Sequence, residues 1–342
     1  MKIGNLDIGP GHRPIIIAEI GINHNGNLET AKTMVKKAID SGADIIKHQT
    51  HIVEDEMTDE AKKVIPPNDP RSIWQIMKDT SLSLEDETEL KKFTESNGGV
   101  YISTPFSRAA ATFLNEIGVP AFKIGSGECS NLPLVRHIAS FGKPIIMSTG
   151  MHSIEQFRPA VDIFIENNVP YCLLECTNLY PSPPENVSLN GIIELRQAFP
   201  GSIIGFSDHS IGPYMALASV ALGASVIERH FTDSRYRVGP DIINSMDPSE
   251  LRIIKDISQE IFVATNNKKT RTVEEEGVYK FARSSVVADR DISIGEIISE
   301  DKIWARRPGT GEISGEEFDK VIGKKLICSL KKNDQLKWSY FE

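Results

Sequence analysis

Two patterns of apolar positions alternate along most of this chain. Short runs that are apolar almost without a break occur at 14–26 (PIIIAEIGINHNG), 43–51 (ADIIKHQTH), 100–107, 121–128, 144–151, 171–181, 202–209 and 225–232. Each ends in polar or Gly-rich residues. Between them lie amphipathic segments, at 28–41, 107–118, 132–141, 153–167, 187–199 and 213–223, several of which stop at Gly. Continuous apolar runs are what parallel strands buried on both faces require. Eight strand–helix units predict an α/β fold, a TIM (β/α)8 barrel closed by a helix at 248–265. A doubly wound open sheet is the structural alternative, weakened because no G-x-G-x-x-G follows the first strand.

Two regions depart from this rhythm. The stretch 52–99 is too long for one loop and helix. Its charged start, VEDEMTDEAKKVIPPNDP, reads as a mobile excursion over the barrel mouth, and 72–97 can form one or two helices. After 265 the chain becomes polar, then breaks into short apolar runs with Gly and Asp/Asn turns and one short helix near 315–321. We read a barrel over 1–265, a linker over 266–281 and a small domain over 282–342. A domain of about 60 residues has little core of its own and is expected to pack on something.

The formal charge of −9 argues against nucleic acid or an anionic membrane as the main partner. No run is long enough to span a bilayer, and 1–14 lacks the apolar core of a signal peptide, so a cytoplasmic protein is expected. The four cysteines form no metal-finger spacing, and free thiols are expected. Cys172 and Cys176, in or beside a strand, read as packing residues.

In a TIM barrel the chemistry sits at the C-terminal strand ends. His209 and His230 close the last two runs twenty-one residues apart, the length of one strand–helix unit, and so share a rim. They are a plausible pair of ligands for a divalent metal. Glu228, two residues before His230, lies on the same strand face. Lys47 and Gln49, Thr104 and Ser107, Lys123 and Ser126, Ser148, Asn178 and Tyr180, and Ser207 end other strands, and Glu19 closes the first. Lysines with hydroxyl and amide donors suit a phosphate or carboxylate. Glu19 and Glu228 can move protons. Serines at strand ends often only cap helices, whereas lysines at the end of a buried strand are harder to explain structurally. These parts suit attack on an activated carbonyl by phosphoenolpyruvate, or equally a Schiff-base aldolase using Lys47 or Lys123.

The stretches AEIGINHNG, KHQTHIVEDEMTDEAKKVIP, STPFSRAAA, AFKIGSGEC, PIIMSTGM, CTNLYPSPP, GFSDHS, ERHFTDSRYRVGPDIINSM, SVVADRDI and WARRPG closely resemble the bacterial sialic acid synthases, in particular the N-acetylneuraminate branch. The resemblance spans almost the whole chain. It implies condensation of phosphoenolpyruvate with open-chain N-acetylmannosamine, with Mn²⁺ (or Mg²⁺ or Co²⁺) on His209 and His230. It implies that Lys47, Thr104, Lys123, Ser126, Ser148, Asn178 and Ser207 cradle phosphoenolpyruvate and that Glu19 acts near the attacked carbon. Glu228, Tyr180, Gln49 and Asp241 would hold the sugar or assist proton transfer. The small domain resembles the family's antifreeze-like (SAF-type) domain, which reaches across a domain-swapped homodimer. Arg307, with Arg306 as its rival, would then contact the sugar's N-acetyl group in trans. Glu175 stands where relatives often carry His, and 211–214 also differs. The run KHQTHIVEDEM points to N-acetylneuraminate, while sister synthases making legionaminic or pseudaminic acid from a diacetamido-trideoxyhexose tend to have KFQT. A carbohydrate- or ice-binding protein acting through the small domain is a third reading, and it leaves the filled rim unexplained.

Overall fold

The computed structural model describes residues 1–66, 70–239 and 241–342. Two compact units result, Met1–Asn266 and Asn267–Glu342. The first is a closed parallel barrel of eight strands: β1 (Ile15–Glu19), β2 (Ile45–Thr50), β3 (Val100–Pro105), β4 (Phe122–Ile124), β5 (Ile145–Ser148), β6 (Tyr171–Cys176), β7 (Ile203–Asp208) and β8 (Val226–His230). β8 pairs with β1 to close it, setting His230 against Glu19 and Glu228 against Ile17.

Helices α1 (Leu28–Asp40), α2 (Ile73–Thr80), α3 (Leu84–Ser96), α4 (Arg108–Glu116), α5 (Leu132–Ala139), α6 (Ile154–Glu166), α7 (Gly191–Ala198), α8 (Tyr214–Ala221) and α9 (Pro248–Thr265) accompany the strands. In α1, Ala31, Met34, Val35 and Ala38 are buried at three- and four-residue spacing, the stripe that seats a helix on a sheet. They join Ile16, Ala18 and Ile46 in the outer apolar cluster. Helix starts are chemically capped: the Asn27 and Ser107 side chains accept from Thr30 N and Ala110 N. Ser107 therefore has a structural role at the end of β3.

The strands' period of two divides the barrel interior into levels. Ile15, Ile17, Ile45, Ile102, Ala121, Ile146, Cys172, Leu174, Ile203 and Val226 form an apolar floor. Gly205 belongs to this level because a Cβ there would stand 2.5 Å from Leu174 Cδ2 and 2.6 Å from Val226 O. The N-terminal stretch, too short to read as structure from its pattern, is a hairpin pairing Lys2–Ile3 with Leu6–Asp7, and it adds Ile3 and Ile8 to the floor.

After β2 come single turns at Val53–Glu56 and Asp59–Lys62, then α2 and α3. The part of the expected excursion at 67–69 lies outside the described residues. Among the described residues, no helix is long and apolar enough to cross a membrane.

The second unit includes α10 (Glu276–Ala282), which takes up the end of the stretch read as linker, then antiparallel β9 (Ser285–Ala288) and β10 (Ile303–Arg306). Val286, Ile292, Ile298, Ile303, Ile313, Val321, Leu326, Leu330 and Leu336 form its own core. A 3-10 turn at Gly315–Lys320 occupies the place of the expected short helix.

Candidate active site

A cavity of about 350 Å³ opens at the C-terminal end of the barrel. Two residues beyond the apolar floor, the inward positions turn polar in one strand after another, and these side chains become its base. Lys47, Gln49, Thr104, Lys123, Ser126, Ser148, Asn178, Tyr180, Ser207, His209, Glu228, His230 and Asp241 all line it. Glu19 does not line the cavity. It is 1 % exposed, in contact with the Lys47 ammonium, and accepts from Gln49 Nε2 at 3.4 Å. Arg307 lies in the second unit, exposed.

The base is a compact charge cluster. Lys123 Nζ donates to Ser148 Oγ at 2.7 Å and to the Ile124 carbonyl at 3.1 Å. Lys47 Nζ donates to Thr104 Oγ1 at 3.3 Å. Glu228 Oε1 lies 3.6 Å from Lys123 Nζ and 3.8 Å from Lys47 Nζ, and accepts from Ser207 Oγ at 3.1 Å. Burial alone would raise the Glu228 pKa, but Lys123 and Lys47 outweigh it and hold the carboxyl below its usual range. Burial brings Lys47 down to about 7, against the pull of Glu228 and with the repulsion of Lys123. The Glu19 carboxylate in contact with it favours the ammonium form.

The two histidines are neutral. Burial is the largest cause, with His230 adding repulsion at His209 and Lys47 at His230, and their pKa values fall to about 4 and about 3. His209 Nδ1 donates to the Thr177 carbonyl at 2.8 Å, which leaves Nε2 as a bare acceptor. The ring centroids are 5.4 Å apart. His230 Nδ1, 3.7 Å from Asp241 Oδ2, is buried without a hydrogen-bond partner among the described residues. Two neutral imidazoles with free nitrogens fit a divalent cation. No larger His, Cys, Asp or Glu metal cluster occurs among the described residues, so an ion held here would complete its coordination from water or substrate. Burial raises Asp241 to about 6, opposed by His209 and Lys47.

Several contributors escaped the sequence pattern. Cys172 packs in the floor, but Cys176 lines the cavity, its thiol 3.5 Å from Asn178 Oδ1. Gly150 is required because a Cβ would fall 1.9 Å from Asn178 Oδ1. Ile22, Pro66, Ile73, Ile76, Met77 and Phe106 supply an apolar wall, much of it from the 52–99 excursion. No pattern distinguishes those residues from ordinary helix core. Arg229 had a readable signal, a charge inside a buried strand. It is 1 % exposed, faces away from the cavity, and donates to the Ser210 carbonyl at 2.6 Å and to the Gly212 carbonyl. It also pairs with Asp208 at 3.5 Å, so it fastens the segments that follow His209 to the strand that carries His230.

The chain resembles known proteins along almost its whole length. The chain is 36% identical over 335 residues to the N,N'-diacetyllegionaminic acid synthase of Campylobacter jejuni, covering 95% of this chain and 99% of that one. It is 32% identical over 339 residues to the human N-acetylneuraminate-9-phosphate synthase, covering 96% and 93%. The crystal structure of an N-acetylneuraminic acid synthetase from Leptospira borgpetersenii superposes with a TM-score of 0.75 at 30% identity, over 81% of this chain and 94% of that one. The sequence model of the SAF domain matches residues 283–342, and that of the NeuB family matches residues 34–270. With the barrel, the site and these matches together, the chain belongs to the NeuB family of sialic acid synthases.

Proposed function

We propose that this chain condenses phosphoenolpyruvate with the open-chain aldehyde of N-acetylmannosamine, with water, to give N-acetylneuraminate and phosphate. The observation that carries this reading is the base of the cavity. Two buried lysines, Thr104, Ser126 and Ser148 converge there beside two neutral histidines, a donor set matched to a small dianion and its carbonyl partner. Lys47 and Lys123 clamp the phosphate and carboxylate, with Ser126, Ser148, Asn178 and Ser207 around them. The enol double bond supplies the electron pair for the new C–C bond, and the aldehyde oxygen takes up a proton. Water adds to the cationic carbon so formed and loses a proton; the new hydroxyl then becomes the ketone carbonyl and gives its proton to the departing phosphate as the C–O bond to phosphate breaks. Glu19 and Glu228 hold and move these protons, while Gln49, Tyr180 and Asp241 orient the sugar. Mn²⁺, or Mg²⁺ or Co²⁺, when held by His209 and His230, supplies a Lewis acid for the aldehyde.

A homodimer in which one chain's small domain completes its partner's cavity is part of the proposal. Arg306 is occupied by Asp289 and Asn333, whereas Arg307 is exposed with no partner among the described residues, which supports Arg307 as the residue acting in trans. Met151, Leu179, Tyr180, Ile211 and Tyr214 leave exposed apolar surface after the strand ends, as a covering partner would require. Two observations keep other readings in the test. Relatives named for diacetyllegionaminic acid favour a diacetamido-trideoxyhexose, and the low Lys47 pKa suits a Schiff base.

The deciding assay is phosphate release after EDTA treatment, with N-acetylmannosamine or the diacetamido sugar, with and without Mn²⁺. Metal-restored turnover of N-acetylmannosamine is expected. Turnover of only the diacetamido sugar moves the chain to a sister branch. EDTA-insensitive activity with borohydride trapping replaces the mechanism by the aldolase one, and no phosphate from either sugar overturns the proposal.

A further inference from the structure

A second polar cluster lies behind the cavity wall, on the outward side of β2 and β3. His24, His48 and Glu87 are each 1 % exposed, and none of them lines the cavity. Gly26 N donates to His24 Nδ1 at 3.2 Å, which puts the ring hydrogen of neutral His24 on Nε2. That nitrogen meets His48 Nε2 at 3.0 Å, so His48 is the acceptor there and carries its own hydrogen on Nδ1. His48 Nδ1 lies 3.2 Å from Glu87 Oε1, which also accepts from Thr50 Oγ1 at 2.6 Å and Tyr101 OH at 2.9 Å. The order of donors and acceptors is therefore fixed from the loop after β1 to His48, and a 3.2 Å polar contact outside hydrogen-bond geometry carries it on to Glu87 of helix α3.

The same loop is fastened at its other side to the segment that follows β8. Asn23 Nδ2 donates to the Phe231 carbonyl and to Ser245 Oγ, both at 2.9 Å. Ser245 Oγ in turn donates to the Asp241 carbonyl at 2.6 Å, and Asn25 Nδ2 donates to the Val238 carbonyl at 2.8 Å. Gly26, at φ +69°, lets the loop press on the α2–α3 junction, where a Cβ would be 2.7 Å from the Asp79 carbonyl. A strap of hydrogen bonds and one close polar contact, His48 to Glu87, thus joins α3 to Asp241, which does line the cavity. His48 Nδ1 and Asn23 Oδ1 are buried without a hydrogen-bond partner among the described residues, so the strap is held by the other bonds named above and by the close approach of His48 to Glu87.

We propose that His24, His48 and Glu87 are positioning residues whose strap, through Asn23 and Ser245, sets Asp241 over the cavity. That the displaced Asp241 would be felt as weaker sugar binding rests on the function proposed above; the strap itself does not.

Two measurements test it. Amide hydrogen exchange is followed in the full-length protein and in His48→Phe, which keeps an aromatic ring and deletes both nitrogens. Exchange across 231–246 is expected to speed up by about tenfold, the scale of one buried hydrogen bond. Unchanged exchange there, with faster exchange confined to 20–26, overturns the strap. The second measurement is a kinetic cycle of His48→Phe and Asp241→Asn. His48→Phe is expected to raise the KM for sugar about tenfold and to add less than about twofold in the Asp241→Asn background, as coupled residues do. The KM for phosphoenolpyruvate is expected to stay within about twofold. Additive losses, or equal rises in both KM values, assign the histidines a merely structural role and overturn the proposal. If His48→Phe does not fold, Glu87→Gln carries both measurements. If the wild-type protein turns over neither sugar, the function proposed above fails while the exchange result still decides the strap.

Discussion

The rim and the floor of the barrel use the same strands, one pleat apart, and follow opposite rules. Ile17 is succeeded inward by Glu19, Ile45 by Lys47, Ile102 by Thr104, Ala121 by Lys123, Ile146 by Ser148 and Val226 by Glu228. The floor gains from removing apolar area from water, roughly 1.5–3 kcal/mol for each fully buried large aliphatic side chain. The rim buries two ammonium and two carboxylate groups, which mutual pairing only roughly compensates. The difference teaches that the floor supplies the stability that supports a rim of buried charge. Damage to the rim should therefore cost activity first, and damage to the floor stability first.

The largest effect is expected at the rim. Lys123→Met removes the donor to Ser148 and one of the two cations facing Glu228. Phosphate release should fall by about 10²–10³-fold or more, the cost of losing one preorganised charge. The melting temperature should move little, because Lys47 still faces Glu228. A large loss of stability with near-normal turnover of the folded fraction would reverse the comparison. Next comes Arg229→Met, at the height of the rim but outside the barrel. It leaves Asp208 buried without its cation, so a loss of about 3–5 kcal/mol is expected in urea unfolding. Activity should fall too, as the segments after His209 loosen. The floor is tested by Ile102→Ala, expected to cost about 2–5 kcal/mol while kcat stays within about threefold at a temperature where the variant is folded.

The period of two made much of this legible. Lysine in an apolar run has no cheap structural explanation, so Lys47 and Lys123 pointed to a site from sequence, and His209, Glu228 and His230 shared a face by parity. The same parity applied to His48 and Arg229 turns them outward, where a charge or imidazole needs a built partner just as much; those partners, Glu87 and Asp208, come from a distant helix and a neighbouring strand. The apolar wall from Ile73, Ile76 and Met77 was not readable, because an amphipathic helix presents the same stripe to a core and to a ligand. The hairpin at Lys2–Asp7 is too short to show a period at all, and its place under the floor follows only from the closed barrel.

The smallest effect concerns Glu175, an outward residue of β6 that breaks the rule that outer strand positions are apolar. It is half-buried against α7, where Gly191 makes room for it: a Cβ there would stand 2.5 Å from Glu175 Oε2. Burial first, and the Glu194 carboxylate of the same helix second, push its pKa up to about 7. The native state therefore holds this proton more tightly than the unfolded chain does, whose carboxyl titrates near its ordinary 4.5. Below about pH 4.5 both states are protonated and the group contributes no difference. Between about 4.5 and 7 the native state binds more protons, so stability falls as pH rises, and above 7 the loss is complete. For a half-buried carboxyl this amounts to about 1–3 kcal/mol. Glu175→Gln should match the wild type in urea unfolding at about pH 4 and exceed it by that amount at about pH 8, with activity unchanged because the side chain points away from the cavity. Parallel stability–pH curves for the two proteins would show that the carboxyl is solvated after all, and that the outer face tolerates charge as readily as the rim does.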